Sequence, residues 1–199
     1  MKKIMFSERY GLEQAVLAGT KTMTRRIIPI DLYNQTDWKA VAEGDFEAVV
    51  DGEGYYHDIR NCGKYRIGEE VAIAQPYKNL IEQGYLCRES DGWVSEKYCT
   101  SPGYRDKMFV KSEYMPRRIR ITGIKVERLQ DISEEDCLRE GLLAGEQEPR
   151  MYGFRLPKGT VLSFLTPREA FAALIDRISG RGTWQRNPWV YAYTFELIK

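Results

Sequence analysis

The chain has 199 residues, 43% of them hydrophobic and 30% charged, which fits one globular domain with a buried core. Its net charge of +1 lacks the strong positive bias of a bulk nucleic-acid binder, although basic clusters stand at Lys21/Arg25/Arg26, Arg117/Arg118/Arg120 and Arg177/Arg181/Arg186. No apolar run reaches bilayer length, and Ser7, Glu8 and Arg9 break the N-terminal stretch before it can act as a signal core. A cytoplasmic protein with no membrane partner is the expectation.

In chain order, Ser7 reads as the N-cap of a first helix with Tyr10, Leu12, Ala15, Val16 and Leu17 on its apolar face, and Gly19 reads as its stop. The next residues, Thr20 to Arg26, crowd an amine, hydroxyls and guanidinium groups into a short loop. Such a loop can bind an anion, run acyl chemistry, or simply cap a helix and present a solvated cationic surface. Residues 31–66 are polar, Gly-rich and without periodicity, and read as an insertion of short strands and loops. Val71–Ala74 reads as a buried strand ended by Pro76.

Residues 78–115 read as a second insertion, with a hairpin at Asp91-Gly92 and a short strand at Lys107–Lys111. Arg118–Leu129 alternates as a strand whose phase switches at a bulge near Gly123. Ser133 and Asp136 frame a capping box for a short helix stopped by Gly141, and Thr166-Pro167-Arg168-Glu169 forms a second box. Trp189–Ile198 reads as a clean terminal strand with Trp189, Tyr191, Tyr193, Phe195 and Leu197 on one face, as barrel core or a base-stacking surface. Short, irregularly spaced strands and about three helices predict an α+β fold, a small β-barrel decorated by helices.

Cys62, Cys87, Cys99 and Cys137 form no Cys-x-x-Cys pair and His57 is the single histidine, so neither a metal site nor a cofactor is expected. A histidine-based triad is equally disfavoured. A general base is therefore sought among lysines and carboxylates.

Four blocks now stand together: Gly19-x-Lys21-x-x-Thr24-x-Arg26, Ile67-Gly68-Glu69-x-Val71, Leu129-Gln130-Asp131-Ile132-Ser133 running to Glu140-Gly141, and Asn187-Pro188-Trp189-Val190 running to Phe195-Glu196. Their order and spacing resemble the ASCH domain family, most closely its phage- and prophage-associated bacterial members. The resemblance implies one PUA-like β-barrel domain over residues 1–199, with insertions at about 31–66 and 78–115. It also implies a nucleoside, RNA or single-stranded nucleic-acid partner. Small members of the family are amidohydrolases that deacetylate N4-acetylcytidine. Carried over by position, their working lysine, threonine and glutamate fall on Lys21, Thr24 and Glu140. Two departures are visible: those enzymes are about half this length, and Ala74-Gln75 stands where many phage-type members carry Arg-Glu.

Arg25 and Arg26, with Arg117 and Arg118, are candidate phosphate contacts, whose plainer reading is a solvated face. Tyr77, Trp184 with the flanking Arg186 and Asn187, and Trp189 are candidates to hold a nucleobase. The alternative to catalysis is a binding module reading a modified or flipped base; a third reading is an accessory protein acting through its insertions. Catalysis carries a geometric condition. In an extended strand Lys21 and Thr24 would face apart, so the mechanism needs a turn at 21–24.

Overall fold

The computed structural model describes residues 1–86 and 96–198. Strand β1 (Lys3–Ile4) precedes a 3-10 turn at Glu8–Tyr10, helix α1 (Leu12–Leu17) and strand β2 (Met23–Ile27). The first insertion holds helices α2 (Ile30–Asn34) and α3 (Trp38–Glu43) and the hairpin strands β3 (Glu47–Val50) and β4 (Tyr56–Asp58). Strand β5 (Glu70–Ile73), helices α4 (Tyr77–Glu82) and α5 (Glu96–Cys99) and a run of 3-10 turns lead to β6 (Arg118–Arg128). Helix α6 (Glu134–Arg139), strands β7 (Leu143–Ala144), β8 (Tyr152–Arg155) and β9 (Val161–Phe164), helices α7 (Pro167–Ser179) and α8 (Thr183–Arg186) and strand β10 (Trp189–Ile198) complete it.

The central sheet has the order β1-β5-β6-β10-β2, antiparallel except for the β1–β5 pair. Strands β7, β8 and β9 form a separate antiparallel sheet beside α7. The fold is therefore mixed α+β. Among the described residues β1 and β2 remain the two edges of the central sheet and close no barrel. No helix there is long and apolar enough to cross a membrane.

The longest elements follow their local signals. Strand β10 spans Trp189–Ile198 and buries Trp189, Tyr191, Tyr193 and Phe195, so that stripe packs into the core, with Tyr191 and Tyr193 also bordering a cavity. Pairing of β6 with β10 slips between Thr194 and Phe195, leaving Thr122 as the extra residue beside Gly123, where the phase switch predicts a bulge. Helix α7 starts with the full Thr166–Glu169 capping box and Pro167 in its first turn.

Other elements depart from expectation. Gly11 at φ +73° divides the first helix into a 3-10 turn and α1, and the Ser7 side chain caps neither. Helices α2 and α3 lie where only strands and loops are expected, so helices exceed the expected three; Asp37 caps α3 through two backbone N–H groups. Lys107–Phe109 is a 3-10 turn, not a strand: the Asp106 side chain accepts from the Met108 N–H and draws the chain into a tight turn. His57 sits on β4, exposed, against Asp51 at 2.7 Å. The hairpin expected at Asp91-Gly92 lies outside the described residues.

Both insertions complete the core. In the first, Trp38 stacks on Trp189 at 4.8 Å, and the Tyr191 hydroxyl donates to the Ile59 carbonyl at 2.7 Å. The second places Tyr77, Leu80, Val110 and Met115 against Ala72, on the opposite side of β5 from Val71 and Ile73. Each insertion thus buries apolar surface that the sheet would otherwise expose.

Candidate functional site

The loop after α1 is built by local rules. The Gly19 N–H donates to Val16 and those of Thr20 and Lys21 to Ala15, all at 3.0 Å, with Gly19 at φ +75°. This glycine-based C-terminal cap turns the chain sharply. The Thr22 N–H then donates to the Arg139 carbonyl, and its carbonyl accepts from Phe195, both at 2.9 Å. The loop is held between the end of α6 and β10, and the regular strand begins only at Met23.

Lys21 folds back into the interior. Its ammonium donates to the Met23 carbonyl, the Glu140 carbonyl and Glu140 Oε2, each at 2.7 Å. The other oxygen, Glu140 Oε1, receives Arg25 Nη1 at 3.1 Å. Glu140 is the residue ending α6, where a carboxylate opposes the helix dipole; Lys21 offsets that by capping both its carbonyl and its side chain. Glu140 is buried, against the exposed position usual for such a glutamate. Burial is the largest influence on the Lys21 amine and pushes its pKa below 10.5, with Glu140 opposing and Arg26 and Arg25 adding to the fall.

Gly141 fixes the contact from behind. It has φ +95°, and a Cβ there would lie 3.1 Å from Lys21 Cβ and 3.2 Å from its Cδ. Gly141→Ala is expected to lower stability by about 1–2 kcal/mol and to displace the lysine. Urea unfolding, with the crystal structure of the variant, checks both.

Arg25 and Arg26 have different fates. Arg25 is buried; besides Glu140 it meets Glu127 Oε1 through Nε and Nη2 at 2.9 and 2.6 Å, and Asp136 Oδ2 at 3.2 Å. Burial opposes its charge, but Glu140 and Glu127 outweigh that and hold its pKa above the ordinary value. Arg25 therefore organises carboxylates and is not open to a phosphate. Arg26 is half-buried, donates to the Met5 carbonyl at 2.7 Å and pairs with no carboxylate among the described residues.

These groups border a cavity of about 270 Å³. Its polar end presents Lys21, Thr24, Arg26 and Glu140, and its apolar wall comes from Phe171, Leu174, Ile175 and Ile178 on α7. The turn expected at 21–24 is absent: Lys21 stands in the loop ahead of β2 and Thr24 within the strand, yet both border one cavity at the open edge of the sheet. No described residue hydrogen-bonds the Thr24 hydroxyl.

That edge also supplies backbone donors. Phe195 N–H to the Thr22 carbonyl and Ile28 N–H to the Trp189 carbonyl fix the phase of the β2–β10 ladder. Thr24 and Arg26 then exchange bonds with β10, while the N–H and C=O of Arg25 point away from β10 to the free edge. The loop amides suited to an oxyanion are already engaged, as is the Thr22 hydroxyl, which accepts from Arg139 at 3.2 Å. Of the residues that border the cavity, Arg25 and Ile27 leave their N–H groups on this free edge, and Arg25 is the one next to Thr24.

The remaining sequence candidates lie elsewhere. Tyr77 is buried among Tyr98 and Tyr114 beneath the second insertion. Arg117 precedes β6 and Arg118 pairs with Glu70 at 3.6 Å, two strands from β2. Trp184 packs edge-on against Phe171 at 6.1 Å, behind the cavity wall. Arg186 donates to the Thr183 hydroxyl at 2.9 Å, and Asn187, at φ +45°, accepts from the Gln130 N–H at 2.8 Å. Trp189 is enclosed by Trp38 and Arg128. None of these borders the cavity.

Glu127, Asp136 and the α7 wall were missed as site residues. Glu127 reads locally as the polar face of a strand, Asp136 as a capping acid, and the α7 residues as core. The sequence reads Thr20–Arg26 as a loop, whereas Met23–Ile27 is strand β2, so the alternation that turns Arg25 toward these acids was not legible. Compared with known proteins, the chain matches no family model, no curated protein and no solved structure.

Proposed function

We propose that the cavity beside β2 is the active site of an ASCH-type amidohydrolase on a PUA-like frame, acting on the amide of an N4-acylated cytidine. One observation carries this reading. Lys21 and Glu140, 119 residues apart, meet at 2.7 Å in the wall of a cavity that Thr24 also borders. Those are the three positions that the family resemblance selects.

The chemistry follows from the groups present. The Thr24 hydroxyl attacks the acyl carbonyl carbon and passes its proton to neutral Lys21, while the Arg25 N–H receives the oxyanion. Collapse breaks the carbon–N4 bond. The Lys21 ammonium gives its proton to N4, cytidine leaves, and the acyl group remains as an ester on Thr24. Water attacks the ester and loses a proton to Lys21; Thr24 departs, regains that proton, and the carboxylic acid is released. Glu140 holds the amine in place throughout.

A second reading has its own support. Three oxygens surround the Lys21 amine and favour its ammonium form, which suits a module that binds a modified base without cleaving it. Incubation with N4-acetylcytidine separates the two. Release of cytidine, lost in Thr24→Ala, is the expected result; folded protein that releases none selects the binding module. Because the working form is the neutral amine, kcat/KM should rise with pH and level off below 10.5, since the Lys21 pKa is lowered. A profile that is flat, or still rising at that pH, counts against Lys21 as the base.

A further inference from the structure

A second cavity, of about 210 Å³, adjoins the first and shares Met5, Arg26 and Ile27 with it. Its character is different. Tyr65, Tyr191 and Tyr193 form an aromatic floor, with the Tyr65 and Tyr193 rings edge-to-face at 5.2 Å and Tyr191 and Tyr193 tilted at 5.7 Å. Tyr193 is 1% exposed, and its hydroxyl has no hydrogen-bond partner among the described residues, although the backbone amides of Lys64 and Tyr65 lie beside it. Those amides can only donate to the hydroxyl oxygen; its own proton has no acceptor among the described residues, and a buried donor left unpaired is costly.

The rim carries charge of one sign. Lys3, Arg26 and Lys64 border the cavity and no carboxylate does. Lys3 is engaged by the Met108 and Val110 carbonyls at 2.8 and 2.5 Å. Arg26 and the exposed Lys64 are paired with no carboxylate among the described residues. An aromatic floor below unpaired cations fits a flat ring attached to an anion.

The strand register then relates the two cavities. Thr24 stands directly opposite Tyr193, and Arg26 opposite Tyr191, so the candidate nucleophile and the tyrosine floor are cross-strand neighbours. Arg26 borders both cavities.

We propose that the second cavity receives the nucleotide adjoining the acylated one, making the substrate a single-stranded oligonucleotide rather than a free nucleoside. This rests on the reading of the first cavity given above. The flanking base lies on the tyrosine floor and takes a hydrogen bond from the Tyr193 hydroxyl. The bridging phosphate meets Arg26, and the next one meets Lys64 at the mouth.

The test is calorimetric titration of Thr24→Ala protein, which cannot turn over, with N4-acetylcytidine and with a trinucleotide carrying that residue between two uridines. Ribose and deoxyribose forms are both titrated, and the tighter one names the polymer. The trinucleotide should bind at least about tenfold more tightly than the nucleoside, and added salt should weaken it more. Lys64→Glu should remove most of that advantage, and Tyr193→Phe should reduce it several-fold. Equal binding of nucleoside and trinucleotide, or equal weakening of both by Lys64→Glu, overturns the proposal. If wild-type protein releases cytidine from the nucleoside and the trinucleotide has no advantage, this inference falls and the hydrolytic reading stands. Lys64-dependent trinucleotide binding by a wild-type protein that cleaves nothing supports the inference and overturns the hydrolytic reading.

Discussion

Under the hydrolytic reading proposed above, replacing Lys21 by alanine should lower turnover of N4-acetylcytidine by a factor of about 10²–10⁴, the usual contribution of a positioned proton acceptor. The argument is geometric first. Among the described residues Lys21 is the one amine in the cavity wall, and its burial keeps it from being replaced readily by a solvent base. Truncation also leaves Glu140 with Arg25 as its remaining cation. Glu140→Gln separates these effects. It keeps the side-chain volume and an oxygen for Lys21, but removes the negative charge that raises the lysine pKa. The rate of Glu140→Gln should therefore fall less than that of Lys21→Ala, and its pH profile should move to lower pH. Steady-state kinetics across pH, with urea unfolding to establish that each variant is folded, provides the measurement. An unshifted profile would show that Glu140 does not act through the amine.

The second large effect concerns stability. Arg25→Met should destabilise the protein by about 3–5 kcal/mol, because Glu127, Asp136 and Glu140 would lose a buried counter-cation. The methionine fills much of the volume, so the loss is electrostatic rather than a cavity effect. Arg25→Lys should recover only part of it: an ammonium cannot reproduce the fork that meets Glu127 through Nε and Nη2 and Glu140 through Nη1. Adding Glu127→Gln to Arg25→Met should restore some stability by removing one stranded charge. Urea midpoints of the three variants check this order. A loss under about 1 kcal/mol in Arg25→Met would place the cluster among exposed ion pairs of little consequence.

The two arginines also separate what the chain reveals from what it conceals. Arg25 and Arg26 are adjacent in sequence and alike in local context, and the sequence treats them as one basic cluster. Strand alternation sends them to opposite faces of β2. One meets three carboxylates brought by β6 and α6; the other meets a backbone carbonyl and two cavities. No local pattern distinguishes them, because the difference is made by residues more than 100 positions away.

Elements whose signals are local were legible. The alternation of β10 and β6, the bulge beside Gly123, the box at Thr166 and the stop at Gly19 each depend on residues within one turn or one strand pair. The small helices of the first insertion were not, because α2 and α3 are too short to establish a period and are held by Asp37 and by packing of Trp38 on Trp189. The aromatic candidates Tyr77, Trp184 and Trp189 were misread for the same reason: a large ring looks alike in sequence whether it lines a cleft or fills a core.

By itself, then, the sequence determined the longest strands and the capped starts of the helices at Ser133 and Thr166, although only Thr166 forms the full box, and its spacing drew attention to Lys21, Thr24 and Glu140. Only the tertiary structure decided that Lys21 and Glu140 meet, that Arg25 is a buried organiser, and that a tyrosine-floored cavity adjoins the first. The physical reason is range. Turns, caps and strand alternation are set by neighbours along the chain, whereas burial and ion pairing are set by whatever the fold packs against a side chain.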